Sequence, residues 1–388
     1  MPPASSMKIA IDIRTILPTR SGVGNYVLHL IENLLRVDSG STYYFISRPE
    51  NLTFFENLGK QGVPLFTIFS HENHPLGDLW EHFILPLRLK KFGVEIFHGP
   101  ASLIPFRKEN YRVVVTIHDL VAFLFPNTIP LKYGAYMRYL LRYAVRRADR
   151  IISVSAHTRE DLIRILKVPP EKISVVHEAP TPLFRALDRQ WAREQLQTRY
   201  GLKKKFIYHL GNIEPRKNLI VLLQAFGQVC RQINNEYVLV LSGQPGWLTG
   251  SLQRFLARYP FKERIIFTGY VPREDLPLFM NGAEMFVFPS LYEGFGLPVL
   301  EAMHCGTPVI SSNRSSIPEI VGPAALLIDP EDPSALAEMI VYLIRHPDQR
   351  EKMRALGLEQ AARFTWEEAA RKTLAVYHSL TGSPTGNN

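Results

Sequence analysis

The sequence predicts an α/β protein of two successive domains, each a doubly wound parallel sheet flanked by helices. Three observations lead there. Short apolar, β-branched runs alternate with stretches of helical periodicity along most of the chain. Several of these runs, Tyr111–Ile117 above all, are apolar almost without interruption, the pattern of a strand covered on both faces. The alternation breaks once, between Thr181 and Lys205, and then starts again.

In chain order, Lys8–Ile13 reads as the first strand, followed by a glycine-containing turn at Ser21–Gly24 and helical periodicity over Tyr26–Leu35. Tyr43–Ser47, Val63–Phe69, Ile96–His98, Tyr111–Ile117, Ile151–Ser155 and Ile173–Val176 read as further strands. Lys132–Ala148 and Arg159–Leu166 read as helices between them. Pro182, a polar helix-like run over Asp188–Tyr200, then Gly201 and three lysines mark a hinge. The second series has strands at Phe206–Leu210, Tyr237–Ser242, Ile265–Thr268, Met285–Pro289, Pro308–Ser311 and Ala325–Ile328. Its helices include Leu219–Arg231, Ala335–Arg345 and Ala361–Tyr377, and Gly382–Asn388 reads as a frayed tail. The expected division is residues 1–187, a linker over 188–205, and a second domain over 206–364.

Composition narrows the function. Of 388 residues, 46% are hydrophobic and 21% charged, which excludes wholesale disorder. No apolar stretch approaches the roughly 18 residues of a spanning helix. The first residues lack the pattern of a secretory signal. The two cysteines, Cys230 and Cys305, form no CxxC pair, so neither a disulfide framework nor a zinc site is expected, and a reducing cytoplasm fits. The net charge of +9 favours anionic partners, but no nucleic-acid module or zinc-finger spacing is present.

In open parallel sheets, ligands sit beyond the carboxyl ends of strands. The densest signal lies there: Pro289–Met303, PSLYEGFGLPVLEAM. Gly294 and Gly296 allow a tight turn and close backbone approach. Pro298 suits the first turn of a helix, and the N–H groups of Phe295 to Val299 then form an anion-attracting terminus. Glu293 and Glu301, before and inside that helix, suit hydroxyl groups. As a glycosidase pair they fit poorly: both come from one element, about 12 Å apart if fully helical. The second signal is Leu210–Asn218, LGNIEPRKN, after another strand. Gly211 permits close approach. Arg216 and Lys217 open a helix, where cations oppose the dipole unless they hold an anion, and an Arg–Lys pair suits a diphosphate. Alone, each of these features also fits a solvated surface. His118, after the strand Tyr111–Ile117, should face the same side, while Asp119 points away and reads as a turn or cap residue.

These two motifs resemble those of the retaining glycosyltransferases of the GT4 family. So do Ser21–Tyr26, Thr116–Leu120, Ser153–Ser155, Thr268–Pro272 and Glu301–Val309. The likeness spans roughly residues 7–380 and is most specific in the second half. Within the family the chain is most similar to bacterial mannosyltransferase-like members of polysaccharide assembly. The resemblance implies the GT-B fold, two Rossmann-like domains facing across a cleft, with a last helix (365–380) crossing back to the first domain. It implies a nucleotide-sugar donor in the second domain. Arg216 and Lys217 match the diphosphate-neutralising positions, Glu301 the ribose position and Glu293 the position near the donor sugar. Phe295, Gly296 and Leu297 match backbone contacts, and Gly243, Tyr270 and Val271 border the base. His118 matches a catalytic histidine beside the donor sugar, and Gly22 approaches the donor phosphate. Retention of configuration follows from the family.

No Asp-x-Asp or other carboxylate cluster suited to Mg²⁺ or Mn²⁺ is seen, so metal-independent transfer of a hexose without a cofactor is expected, with GDP-mannose the leading donor and UDP-sugars the alternative. The acceptor is expected to be a saccharide, lipid-linked in many family members, with the loop His71–Asp78 as an acceptor pocket. Leu131–Arg150 carries six basic residues against one acidic, with Tyr133, Tyr136, Tyr139 and Tyr143 at helical steps, and suits an anionic membrane surface. A second basic stretch is Arg88–Lys91. Peripheral binding to the inner face of the membrane follows, although a surface helix with solvated charges would read the same. The rivals are a sugar-nucleotide epimerase, which needs further cleft carboxylates, and a non-catalytic nucleotide-sugar-binding adaptor, which should have lost Glu293, His118 or Lys217.

Overall fold

The computed structural model describes residues 6–16, 22–48, 63–66, 80–107 and 109–381. They form two compact units. The first takes the chain up to Leu120, Ala135–Glu178 and the segment from Trp366 onward; the second takes Val121–Gly134 and Ala179–Thr365.

Among the described residues the first unit has seven strands: β1 (Lys8–Asp12), β2 (Thr42–Ser47), β3 (Val63–Phe66), β4 (Ile96–Gly99), β5 (Arg112–Ile117), β6 (Arg150–Ser153) and β7 (Ile173–Val175). Their order is β3-β2-β1-β4-β5-β6-β7 and every pairing is parallel. The second unit has six: β8 (Lys205–Leu210), β9 (Tyr237–Ser242), β10 (Ile265–Gly269), β11 (Met285–Phe288), β12 (Val309–Ser312) and β13 (Ala325–Ile328), in the order β10-β9-β8-β11-β12-β13, again parallel. Each sheet reverses its order beside its first strand, between β1 and β4 and between β8 and β11. Connections leave these neighbours toward opposite faces, so a crevice opens at their carboxyl ends.

The second core lies between β8, β9 and β11 and the helices Leu219–Cys230 and Pro333–Arg345. Ile207, Leu222, Phe226, Leu239, Val287 and Ile340 are wholly buried there. Each such side chain contributes about 1.5–3 kcal/mol relative to exposure. This packing fixes the sheet end on which the site is built.

Four expectations need correction. The stretch expected as a linker is part of the second unit: its helix-like run is the helix Arg189–Tyr200, capped by Asp188 and stopped by a left-handed Gly201. Ala192 and Leu196 are buried on it. Arg189 and Arg193 pair with the buried Glu284 at 2.8 and 2.5 Å, and donate to the last carbonyls of the helix Leu276–Gly282 and the residue after it. A polar sequence there is a helix docked through its charges. Second, Val121–Gly134, expected with the first domain, belongs to the second unit, where Phe125 packs on Tyr292 and Tyr133 on Trp247. Third, Ala361–Tyr377 is broken at 362–365 into the helices Pro347–Ala361 and Trp366–Thr381. Fourth, Ser155 ends no strand: it caps the helix Ala156–Leu166, its Oγ accepting the Thr158 N–H. The part of Val63–Phe69 beyond Phe66, Ser21 and the loop His71–Asp78 lie outside the described residues.

The helix Trp366–Thr381 packs along Gly22–Val37 in the first unit. Trp366 meets Tyr26 and His29, with ring centroids 5.8 and 5.5 Å apart. Tyr377 Oη lies 2.7 Å from Nδ1 of the buried His98, whose Nε2 lies 2.8 Å from Thr116 Oγ1. Burial lowers the His98 value to about 3, so this imidazole is neutral.

Candidate active site

In the second unit, the ends of β8, β9 and β10 are locked together by glycine. The Gly211 N–H donates to the Ser242 carbonyl at 3.0 Å, and the Gly243 N–H to the Gly269 carbonyl at 2.9 Å. Gly243 has φ +148°, and a Cβ there would stand 2.0 Å from the Gly211 carbonyl oxygen. Gly243→Ala is therefore expected to lower unfolding stability by at least about 2 kcal/mol, read by urea titration; an unchanged midpoint would contradict the contact. Tyr270, just after β10, is exposed, while Val271 is buried.

Beside this corner, at the crevice between β8 and β11, two cations converge on one carboxylate. Pro215–Lys217 form a single 3₁₀ turn, and the α-helix begins only at Leu219, after a left-handed Asn218. Arg216 and Lys217 thus precede the helix rather than open it. The turn aims both inward. Arg216 Nη1 lies 2.8 Å from Glu293 Oε2 and donates to the Tyr292 carbonyl at 2.7 Å; its Nη2 meets Glu214 Oε1 at 2.6 Å. Lys217 Nζ donates to Glu293 Oε1 at 2.7 Å and lies 4.7 Å from the centre of the Phe288 ring. Ser290 Oγ donates to the same Oε1 at 2.5 Å, and the Glu293 N–H is taken by Ser315 Oγ at 3.0 Å.

Lys217 and Glu293 are buried. Burial alone would raise the Glu293 carboxyl, but the Arg216 and Lys217 charges and hydrogen bonds from Lys217 and Ser290 bring it down to about 2. Lys217 is lowered, by burial first and then by Arg216, against the pull of Glu293. Two cations face two carboxylates, so an arriving anion must compete with Glu293 for them.

The chain continues into the helix Leu297–His304 through Gly296, at φ +107°. A Cβ on Gly296 would stand 2.7 Å from Ile317 Cδ1. Phe295 is buried, its carbonyl accepting from Ser316 Oγ. The expected row of N–H groups is shorter than read from sequence, because the Val299 N–H already donates to the Gly296 carbonyl at 3.0 Å. Leu297 and Glu301 lie on this helix, Glu301 half-buried. Among the described residues, no group of three or more His, Cys, Asp or Glu is placed to hold a metal ion.

In the first unit, His118 follows β5 and is held on both sides. Nδ1 lies 2.9 Å from Glu178 Oε1, beyond β7, and Nε2 lies 2.8 Å from the Pro100 carbonyl. Carboxylate and carbonyl both accept, so the two contacts favour a ring that carries a proton on each nitrogen. Burial pushes the other way, but the Glu178 bond and charge outweigh it and raise the His118 value above its usual 6.5. A raised value stabilises the fold below about pH 6.5 and loses that contribution as pH climbs through the folded value. Glu178→Gln should bring the His118 titration below that of the parent, followed by ¹⁵N NMR of the imidazole; an unmoved titration would contradict the pairing. Gly22 is the exposed first residue of the helix Gly22–Val37.

Sequence reading thus missed Glu178, Glu214, Ser290 and Ser315. Glu214 sits inside the Leu210–Asn218 motif and Ser290 inside Pro289–Met303, so spacing held a signal for both; Glu178 is distant from His118 in the chain and left none.

Residues 20–179 match Glycosyltransferase Family 4, and residues 193–360 match Glycosyl transferases group 1. The chain is 33% identical over 390 residues to O-antigen chain mannosyltransferase B of Escherichia coli, covering 96% of this chain and 100% of that protein. It is 30% identical over 290 residues to the serotype-specific mannosyltransferase WbdA of Escherichia coli, covering 73% of this chain and only 35% of that longer protein. Among solved structures, sucrose-phosphate synthase of Thermosynechococcus elongatus shares the fold, with a TM-score of 0.79 at 22% identity over 97% of this chain and 99% of that one. With two parallel α/β sheets, a site at the switch point of the second, and a relative matched along its whole length, the chain belongs to the GT4 family of GT-B-fold glycosyltransferases.

Proposed function

We propose that this glycosyltransferase moves mannose from GDP-mannose to a saccharide acceptor, lipid-linked, in surface polysaccharide assembly, with retention of configuration and without a metal ion. The observation that carries the donor site is the convergence of Arg216 and Lys217 on Glu293 at the switch point of the second sheet. Two of the relatives, both from Escherichia coli, are mannosyltransferases by name, which favours mannose.

Transfer breaks the bond between C1 of the sugar and the diphosphate oxygen. Negative charge grows on the departing phosphate and positive character on the ring. Lys217 and Arg216, released in part from Glu293, supply fixed positive charge where the anion grows. They take the place a divalent cation would fill, so EDTA should leave the rate unchanged. Glu293, kept ionised, orients the lysine and accepts from sugar hydroxyls. The acceptor hydroxyl attacks the face the phosphate leaves, and the phosphate oxygen takes its proton. Gly211, Gly243, Tyr270 and Val271 border the base; Phe295, Gly296 and Leu297 present backbone to the sugar and phosphate; and Glu301 takes the ribose hydroxyls. In the first unit, Gly22 approaches the phosphate. His118, favoured in its protonated form by Glu178, acts as a charged donor once Nε2 leaves the Pro100 carbonyl, and not as a base.

The first unit also presents a surface suited to an anionic bilayer. Phe83, Ile84 and Leu87 are exposed beside Arg88, Lys90 and Lys91. His82 stacks on Phe106 at 3.7 Å, and Phe106 meets Tyr139 and Tyr143 of the basic helix Leu131–Arg147. Tyr136 and Tyr139 are exposed on that helix. Basic and apolar groups side by side fit headgroup binding. No helix among the described residues is long and apolar enough to cross a membrane.

The test is a donor screen with radiolabelled GDP-mannose and UDP-sugars, with and without lipid extract from a polysaccharide-producing bacterium. Label moving from GDP-mannose to lipid supports the reading. Transfer only from UDP-sugars overturns the donor, and nucleotide release without transfer overturns the reaction.

A further inference from the structure

His209 stands one residue before the end of β8, with 1% exposure. Its ring stacks on Phe288 of β11, with centroids 5.5 Å apart and planes 21° apart. Nδ1 lies 2.9 Å from the Val287 carbonyl oxygen. A carbonyl only accepts, so Nδ1 carries the proton and Nε2 is a bare acceptor. Nε2 is buried and no donor reaches it. Leaving a buried acceptor unmet is unfavourable, and native folds seldom do so.

The place of this orphan is informative. A carbon built on Gly211 would stand 3.6 Å from His209 Nε2 and 3.3 Å from Lys217 Cε, so both face one point beside Gly211. Lys217 Nζ lies over the same Phe288 ring that His209 stacks on. The ammonium has three N–H groups and gives one to Glu293. Burial lowers the His209 value to about 4, so the ring is an uncharged acceptor that does not repel the lysine.

We propose that His209 is a positioning residue for Lys217: its Nε2 accepts a hydrogen bond from the Lys217 ammonium when a diphosphate draws the lysine away from Glu293. The inference rests on the donor-binding role of Lys217 proposed above. The ammonium then keeps its charge and its aim through the step in which the leaving group becomes an anion. The unmet acceptor of the resting enzyme is met in the loaded one, so its effect appears already when the diphosphate binds and is kept through turnover.

Two substitutions separate the ring nitrogens. In His209→Asn the amide nitrogen takes the Nδ1 place and keeps the Val287 bond, with nothing at Nε2. In His209→Gln the amide oxygen takes the Nε2 place. The parent and both variants are assayed with GDP-mannose for kcat and KM, titrated calorimetrically with GDP, and melted. For His209→Asn, GDP affinity and kcat/KM are expected to fall together by about 10–100-fold, the scale of one hydrogen bond to a charged group, with no loss of melting temperature in the free enzyme. His209→Gln should recover most of both. Parent-like GDP affinity and kcat/KM in His209→Asn overturn the inference alone. So does an equal loss of kcat/KM and melting temperature in both variants, which marks a purely structural residue. A folded parent that neither binds GDP nor uses any nucleotide sugar overturns the donor reading, and this inference with it.

Discussion

Lys217→Met turns over about 10²–10³-fold more slowly than the parent while remaining folded. Methionine keeps the unbranched stem and the contact with Phe288 but removes the charge. Glu293 is not stranded by the change, because Arg216 and Ser290 still serve it at 2.8 and 2.5 Å. The ammonium itself is buried against its preference, as its lowered value shows. The stability lost with the ion pair is therefore offset in part by the desolvation no longer imposed. Steady-state kinetics with a urea titration on the same preparation checks this. A rate within tenfold of the parent would remove Lys217 from the reaction.

Glu293→Gln has the larger effect on folding. The carboxylate receives Lys217, Arg216 and the Ser290 hydroxyl. Without its charge, the buried Lys217 and the part-buried Arg216 face each other, and breaking such a cluster from one side costs about 3–5 kcal/mol. The change should also flatten the acid limb. Glu293 sits near 2 in the folded protein against an ordinary 4.5. A lowered folded value stabilises above about pH 4.5 and loses that contribution as pH falls toward 2, on the order of 3 kcal/mol in all. The stability gap between parent and variant should thus be constant from pH 7 to about 4.5 and close below it. Urea midpoints at stepped pH read this, and equal midpoints at pH 7 would show that the cluster holds little.

Most strands were legible because a parallel sheet buried on both faces demands runs such as Val113–Ile117, which little else explains. The ends of β8 and β11 were legible for another reason: glycines and charges crowd where chain direction changes. What stayed hidden was pairing across the chain. Nothing in the sequence ties Glu178 to His118, or shows that Val121–Gly134 lies on Tyr292 and Trp247. The docking of the helix Arg189–Tyr200 was missed because its anchors are arginines on a buried glutamate, and a polar run with few apolar residues looks like a linker. His209 was passed over because a single histidine in an apolar strand is ordinary until its unmet nitrogen is seen.

The last helix, packed on Tyr26 and hydrogen-bonded to His98, has a consequence for biosynthesis. A ribosome delivers β1 to β7 first and then the whole second sheet, and only afterwards the segment that finishes covering the first. The nascent chain folds its rear portion inside an open bracket, while its front portion waits with an aromatic flank uncovered. A premature stop codon near residue 366 would spare every strand, yet strand the earliest-made half in an unfinished state.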